Sequence, residues 1–429
     1  MKKLIKIFTS VLLLSACSEH EVLIESEDSQ SEKALQSEIR TIDEAYDIAA
    51  KAISWIGDGE SRTSVRLLPS KRDIKVVMNN KSRSGESSDT LMYVVNFEDE
   101  QGFAIIPANR TMPELLAVTE NGSYDPETGS EVEPFQEYMD NALEILEGNS
   151  VLSLPRDTLR VPLSEYRVET VSDTLLRSPK TPYLWGQLGI CGKFCSNGIC
   201  GCSNLAAAMI MAYHKYPTSI TLTHHNDSVI TLNWDNIRLH NSRTAYFSGY
   251  HIENVSHEDQ DALGRLCREL GKRAGSDYNS SGTATTIGDL RSAVSSFGLN
   301  VSSISNYSDD AELNVFNSGG IMCVRGTDNQ VGGHCWVLDG YMKIVTTTTR
   351  YIRENDPNKL QPGPWEILSQ DTSTSKYSHH NWGFEGKCNG WFIVSVWNTE
   401  SKHKYDNNFT NDLKYNFSTN RKYFSVKKP

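Results

Sequence analysis

A cysteine at the start of an apolar run is the residue of this chain best suited to nucleophilic chemistry. Gly201 and Cys202 precede a run rich in Ala, Met and Ile that continues without a helix breaker to Pro217. This composition predicts a buried helix with Cys202 in its first turn. A thiol at a helix N-terminus ionises more readily, and the thiolate is the nucleophile. The alternative is a cysteine that only fills the core, since free cysteine is among the most buried residue types.

A thiolate nucleophile also needs a base and a group that orients the base. His334 follows two glycines and begins an apolar strand, whereas most other histidines lie in polar loops and His379 and His380 are predicted to be exposed. Asn381 offers an amide that would orient the imidazole, and Trp382 beside it would shield that hydrogen bond. The order Cys, His, Asn, with about 130 residues between the first two, is typical of papain-like proteases.

The segments around these residues resemble the streptopain family of papain-fold cysteine proteases. The resemblance rests on Gly201–Cys202 with its small-residue helix, on Gly332–Gly333–His334 with Asp339 and Gly340, and on Asn381–Trp382–Gly383 with Asn389–Gly390. It implies a two-lobed α+β domain, with a helical half facing a β half, that hydrolyses peptide bonds. The chain departs from the family pattern at Ser203–Asn204, at Phe384 and in a longer gap between Tyr341 and His379.

The resemblance assigns a role to each residue of the site. Cys202 is the nucleophile, His334 is the base and then the acid, and Asn381 orients His334. The Gln187 amide and the Cys202 N–H hold the oxyanion. The residues expected at the substrate groove are Gly333, Trp382, Ser281 and Gly282.

Composition limits the other function classes. The 429 residues suffice for two or three domains, and 38% hydrophobic and 22% charged residues are typical of globular protein. The net charge of −12 argues against nucleic acid as a partner. We expect no cofactor and no metal, and polypeptides as substrates.

The N-terminus predicts export. Lys2, Lys3 and Lys6 precede and interrupt an apolar run that is too short for a membrane span but suits a signal peptide. Leu14–Ser15–Ala16–Cys17 resembles a lipobox, which predicts lipidation of Cys17 and an outer-membrane or cell-surface lipoprotein that can be released by processing. An ordinary cleaved secretory signal is the alternative.

Composition and periodicity divide the rest of the chain. After the signal peptide (1–17) we predict a disordered tether (18–40), an inhibitory propeptide domain (41–150), an aperiodic processing linker (151–178) and a catalytic domain (179–429). The propeptide assignment rests partly on its resemblance to the streptopain propeptide, and it makes this domain an intramolecular inhibitor.

Two other interpretations stay open. Cys191, Cys195, Cys200 and Cys202 are spaced like a metal-ligand cluster or a disulfide-stapled module, although no second pair follows as structural zinc sites require. The other interpretation is a papain-fold surface protein that binds without hydrolysis, or an acyl transferase that uses the same cysteine and histidine.

Overall fold

A computed structural model describes most of the chain. The described residues are 39–55, 69–79, 90–110, 112–148, 164–223, 226–238, 256–280, 282–328, 332–354, 363–396 and 421–429. They fall into two compact units, of which the smaller contains 164–173, 345–354 and 363–374 and the larger contains the rest. The predictions for the signal peptide, for Cys17 and for Ser281 lie outside the described residues.

The N-terminal part of the larger unit is an α+β domain. Helix α1 (Ile42–Ala52) begins at a capping box in which the Thr41 hydroxyl accepts from the Glu44 N–H and the Glu44 carboxylate accepts from the Thr41 N–H, as predicted. The other elements are β1 (Pro69–Met78), β2 (Thr90–Phe97), β3 (Phe103–Pro107), β4 (Ala117–Thr119) and α2 (Glu133–Gly148). Arg40, which the sequence assigned to the tether, is buried here and donates to the Pro107 and Asn109 carbonyls.

The next segment corrects the prediction of an aperiodic linker. Residues 164–177, which fall within the predicted linker 151–178, form strand β5 (Ser164–Arg177). Alternating Val, Thr and Leu residues suit a strand, but the many charged residues among them obscured that pattern.

A helical half follows. Its helices are α3 (Gly189–Gly192), α4 (Cys202–His214), α5 (Trp234–Arg238), α6 (His257–Arg273), α7 (Ile287–Ser296) and α8 (Asp309–Asn317). Two hairpins accompany them, β6 (Ser219–Leu222) with β7 (Ser228–Thr231) and β8 (Asp277–Asn279) with β9 (Gly282–Ala284). Helix α4 is buried on nearly every side, which explains why its sequence is almost uniformly apolar.

The β half completes the larger unit. Its strands are β10 (Asn300–Val301), β11 (Ser305–Asn306), β12 (Ile321–Asp328), β13 (Gly332–Glu354), β14 (Glu366–Asn381), β15 (Gly390–Ile393) and β16 (Lys422–Lys427). Strand β13 pairs with β12, β14 and β5, and β14 pairs with β15. The apolar face of this sheet packs against α4, with Ile321, Cys323 and Val337 in the shared core.

The sheet continues into the N-terminal domain, which the sequence did not predict. Strand β4 pairs antiparallel with β15, with Val118 opposite Trp391 and Ala117 opposite Phe392. The Phe392 ring packs edge-on against Phe135 and Tyr138 of α2. Twelve strands of the described residues therefore form one sheet through both domains.

The smaller unit consists of the outer parts of β5, β13 and β14. Tyr351 donates to the Glu169 carboxylate at 2.9 Å, and the Ser172 and Thr346 hydroxyls lie 3.0 Å apart. Most side chains of the β14 part are exposed. This unit accounts for the long gap between Tyr341 and His379, because two long strands fill most of it.

Candidate active site

The backbone at Gly201 sets the start of the helix that carries Cys202. Gly201 has φ 88° and ψ 144°, which few residues other than glycine adopt. A Cβ at this position would also lie 3.0 Å from the Thr283 side chain of β9. Helix α4 begins at Cys202 as predicted, and the N–H groups of its first turn have no acceptor within the helix.

The thiol of Cys202 contacts the imidazole of His334. Cys202 is half-buried at the end of α4, and His334 is 5% exposed near the start of β13. Burial opposes ionisation of the thiol. The charge and hydrogen bond of His334 and the Cys335 N–H outweigh it and lower the Cys202 pKa to about 7. Although burial opposes its charged form too, contact with Cys202 raises the His334 pKa.

A backbone carbonyl, and not Asn381, orients the imidazole. His334 Nε2 lies 3.0 Å from the Trp382 carbonyl oxygen. Asn381 Nδ2 donates instead to the Thr181 and Tyr183 carbonyls at 2.7 and 3.0 Å, and Asn381 Oδ1 accepts from the Gly383 N–H. The prediction that the Asn381 amide holds His334 is therefore wrong.

The side chain of Trp382 lies in the core and does not line a groove. Its indole is fully buried, and Nε1 donates to the Cys388 carbonyl at 2.9 Å. This contradicts the prediction that Trp382 contacts substrate. The rings next to His334 are Phe384, with centroids 5.3 Å apart, and Trp336, stacked at 6.1 Å. Phe384 thus supplies part of the shield that the sequence assigned to Trp382.

Gln187 lies in the segment next to the nucleophile. Its carbonyl accepts from the Cys200 N–H at 2.9 Å, two residues before Cys202. The preceding residues pair with the loop after Trp382, since Gly186 bridges Phe384 and Glu385 N–H donates to the Trp185 carbonyl. This position is compatible with the predicted oxyanion role of Gln187, which stays a prediction.

The structure also locates two of the remaining predicted groove residues. Gly333 lies opposite Thr327 in the β12–β13 pair, against the guanidinium of Arg325. The Gly282 carbonyl accepts from Asn197 Nδ2 at 3.0 Å, which ties the β8–β9 hairpin to the loop before Cys202. Their contact with substrate is untested.

All eight cysteines after Cys17 are free thiols. The Cys323 and Cys335 sulfurs lie 3.3 Å apart without a bond. Contact with Cys267 and burial raise the Cys191 pKa, and burial raises the pKa of Cys195 and of Cys200 to about 11. Cys202 is thus the thiol whose surroundings favour the reactive form.

Sequence reasoning missed a buried polar triad. His379 Nδ1 lies 2.6 Å from Asp339 Oδ1, and Nε2 lies 3.3 Å from Glu120 Oε1. His379 and His380 are 3% and 1% exposed, so the prediction that both are exposed is wrong. Asp339 Oδ2 also accepts from the Lys180 N–H and from both the N–H and the hydroxyl of Thr181.

The described residues lack two kinds of feature. No group of three or more His, Cys, Asp or Glu side chains is arranged to hold a metal ion there. Nor does that part of the chain contain a helix that is long and apolar enough to cross a membrane.

A helix-borne thiol beside a strand-borne imidazole, in an α+β domain with a helical and a β half, defines a cysteine peptidase of the papain-like fold class. Residues 180–392 match the Peptidase C10 family, and residues 35–143 match the Spi protease inhibitor family. The chain is therefore a cysteine-type peptidase similar to the Peptidase C10 family, preceded by a propeptide domain similar to the Spi protease inhibitor.

Three individual proteins illustrate what this chain is similar to. Streptopain of Streptococcus pyogenes is 24% identical over 371 residues, which cover 77% of this chain and 79% of that protein. Streptopain of Streptococcus pyogenes serotype M1 matches to the same extent. A solved fragment of Prevotella intermedia prointerpain A, with a cysteine-to-alanine mutation, aligns with a TM-score of 0.47 and 17% identity over 83% of this chain and 98% of the fragment.

Proposed function

We propose that this protein is an exported cysteine endopeptidase, made as a zymogen, in which Cys202 and His334 form the catalytic dyad. The observation that carries the proposal is the contact between the Cys202 thiol and the His334 imidazole at the N-terminus of α4, with the thiol pKa lowered to about 7. An ionised thiol at neutral pH is what peptide cleavage by a cysteine nucleophile requires.

The hydrogen bond to Trp382 assigns the two imidazole nitrogens. A carbonyl oxygen only accepts, so Nε2 carries a proton and Nδ1 is left to exchange one with Cys202. The thiolate attacks the peptide carbonyl carbon, and Nδ1 then gives its proton to the amine as the C–N bond breaks. Nδ1 next takes a proton from water, whose oxygen attacks the thioester and frees the acid and the thiol.

The negative charge that develops on the carbonyl oxygen of the substrate is stabilised by hydrogen-bond donors. The backbone N–H of Cys202 is in the first turn of α4, where the helix leaves such groups unpaired. We assign the second donor to the Gln187 side-chain amide, on the strength of its position beside Cys200. Loss of one such donor typically costs about 3 kcal/mol of transition-state stabilisation.

We assign inhibition to residues 41–150. Strand β4 extends the peptidase sheet at β15, and the Glu120 N–H donates to the Asn389 carbonyl at 2.8 Å. Strand addition and the aromatic contacts of α2 would anchor the domain until the chain is cut. Export and the lipid on Cys17 rest on the sequence of residues 1–17 alone.

The first test uses protein that starts at Ser18, as wild type and as Cys202→Ala. Under mild reduction at neutral pH, we expect the intact mass of the wild type to fall as it trims itself, whereas the variant stays whole. The trimmed wild type should then digest casein. If the wild type trims neither itself nor casein, even after trypsin has removed the N-terminal domain, the endopeptidase proposal is wrong.

A further inference from the structure

The carbonyl that orients His334 is held through both peptide groups that flank Trp382. Asn381 Oδ1 accepts from the Gly383 N–H at 3.2 Å, and that N–H belongs to the same planar peptide group as the Trp382 carbonyl. Asn389 Oδ1 accepts from the Trp382 N–H at 3.0 Å and so fixes the preceding peptide group. The direction of the carbonyl depends on both contacts.

Asn389 is itself firmly placed. It is 3% exposed, its N–H donates to the Gly386 carbonyl at 3.2 Å, and its carbonyl accepts from the Glu120 N–H. The indole of Trp382 donates to Cys388, the neighbour of Asn389. The backbone of Asn389 is thus held on both sides, and its side-chain oxygen has a defined direction because rotating the side chain would break the hydrogen bond from the Trp382 N–H.

We propose that Asn389 is a positioning residue of the dyad, which acts on His334 through the Trp382 peptide and forms a clamp together with Asn381. The chain of contacts runs from Asn389 Oδ1 to the Trp382 N–H, and from the Trp382 carbonyl to His334 Nε2. The inference rests on the proposed dyad, since it concerns how the imidazole is aimed at Cys202. Asn381 Oδ1 and Asn389 Oδ1 both accept from backbone N–H groups that flank the Trp382 carbonyl, and not from the imidazole.

The clamp predicts a specific defect. Without the acceptor at Asn389, the peptide group that contains the Trp382 N–H can rotate. The Trp382 carbonyl then shifts, and the imidazole of His334 loses its fixed direction. The His334 imidazolium then stabilises the Cys202 thiolate less well, so the pKa of the thiol rises. Catalysis falls in kcat more than in KM, because the lost interaction aligns the reacting groups and does not bind substrate.

The test compares Asn389→Leu, which removes the acceptor at similar volume, with Asn389→Asp, which keeps it. The first readout is the pH dependence of Cys202 alkylation by iodoacetamide in the full chain from Ser18. We expect the apparent thiol pKa of Asn389→Leu to move from about 7 towards the ordinary thiol value of about 8.5. Asn389→Asp should keep the wild-type profile.

The second readout is peptide hydrolysis after processing. We expect kcat of Asn389→Leu to fall about 10- to 100-fold at nearly constant KM, since general acid–base catalysis contributes about 100-fold or more. Asn389→Asp should recover most of the loss. The matched control is Asn96→Leu on β2. This change also removes a buried side-chain acceptor, which takes a hydrogen bond from the Tyr124 N–H. That control should lower the unfolding temperature without moving the alkylation profile.

The outcomes separate the two proposals. An unchanged alkylation profile and kcat in Asn389→Leu would overturn the positioning role and leave the endopeptidase proposal intact. An equal defect in Asn389→Asp and Asn389→Leu would also overturn it, because packing alone would then explain the effect. A wild type that hydrolyses nothing would refute the endopeptidase proposal, whereas the alkylation profile would still test the clamp.

Discussion

The reactivity of single residues here depends on how the Cys202 proton is shared with His334. Burial alone would keep the thiol protonated, and the neighbouring imidazole reverses that tendency. At several other cysteines burial outweighs the opposing contacts and raises the pKa, to about 12 for Cys388 despite its contacts with Ser130 and Lys387. The surroundings of each thiol therefore set its pKa, and with it the fraction of reactive thiolate at neutral pH.

This contrast predicts site-selective alkylation. With iodoacetamide, Cys202 should react first, and its rate should rise with pH to half of its maximum near pH 7 because the thiolate forms there. Peptide mass mapping of alkylated protein at several pH values measures this. Replacement of His334 by Gln should move the midpoint upwards towards the ordinary thiol value. Preferential labelling of another cysteine would contradict the prediction.

The elements explain how two domains share one sheet. Strand β15 is short and apolar, and β4 of the N-terminal domain pairs with it along one side. The close approach requires a glycine, because a Cβ at Gly390 would lie 2.2 Å from the Val118 carbonyl oxygen. Backbone atoms of β4 cannot yield without moving the strand.

We therefore expect Gly390→Ala to loosen the propeptide domain. In the Cys202→Ala background, limited trypsin digestion should remove residues of the N-terminal domain faster than in the parent, because β4 is pushed away from β15. Gly288→Ala is the matched control, since its added Cβ would meet only the Thr286 hydroxyl at 3.8 Å. Equal digestion of Gly390→Ala and the control would mean that β4 adds little to docking.

For the whole molecule, the buried triad joins the two domains electrostatically. His379 lies between Asp339 of the peptidase domain and Glu120 of the N-terminal domain. Although burial alone would lower it, contact with Asp339 raises the His379 pKa to about 9, whereas the Asp339 pKa is lowered despite burial. Both groups are charged at neutral pH, and each stabilises the other.

These shifts predict a pH-dependent contribution to stability. Because its folded pKa exceeds its unfolded value of about 6.5, charged His379 stabilises the fold fully below that value and loses the effect as pH rises through about 9. The share of Asp339 is present above its ordinary pKa and is lost as pH falls through its lowered pKa.

His379→Gln tests this contribution. In the Cys202→Ala background we expect a loss on the order of 3 kcal/mol near pH 6, as for other broken buried ion pairs, and a smaller loss above pH 9. Denaturant unfolding at the two pH values measures the difference. A loss of equal size at both would show that shape and not charge makes His379 important.

Local patterns in the sequence predicted several of the elements and the residues with catalytic chemistry. The capping box at Thr41, the uniform apolar run after Cys202 and the strand after His334 are local patterns, and each produced the predicted element. The context of Cys202 and His334 and their order predicted that they act together, and this catalytic role stays a prediction. Local propensity and burial act over a few residues, so they can be recognised from the sequence.

Which atoms contact one another depends on the packing of segments that are far apart in the chain. The acceptor for His334 is the Trp382 carbonyl, one residue from the predicted Asn381 side chain, because the direction of a peptide plane depends on long-range contacts such as Asn389. The burial of His379 and the joining of β4 to β15 depend on the same packing. A hydrogen bond requires its donor and acceptor to be placed to within tenths of an ångström. When the two lie in segments far apart in the chain, no local sequence pattern contains that information.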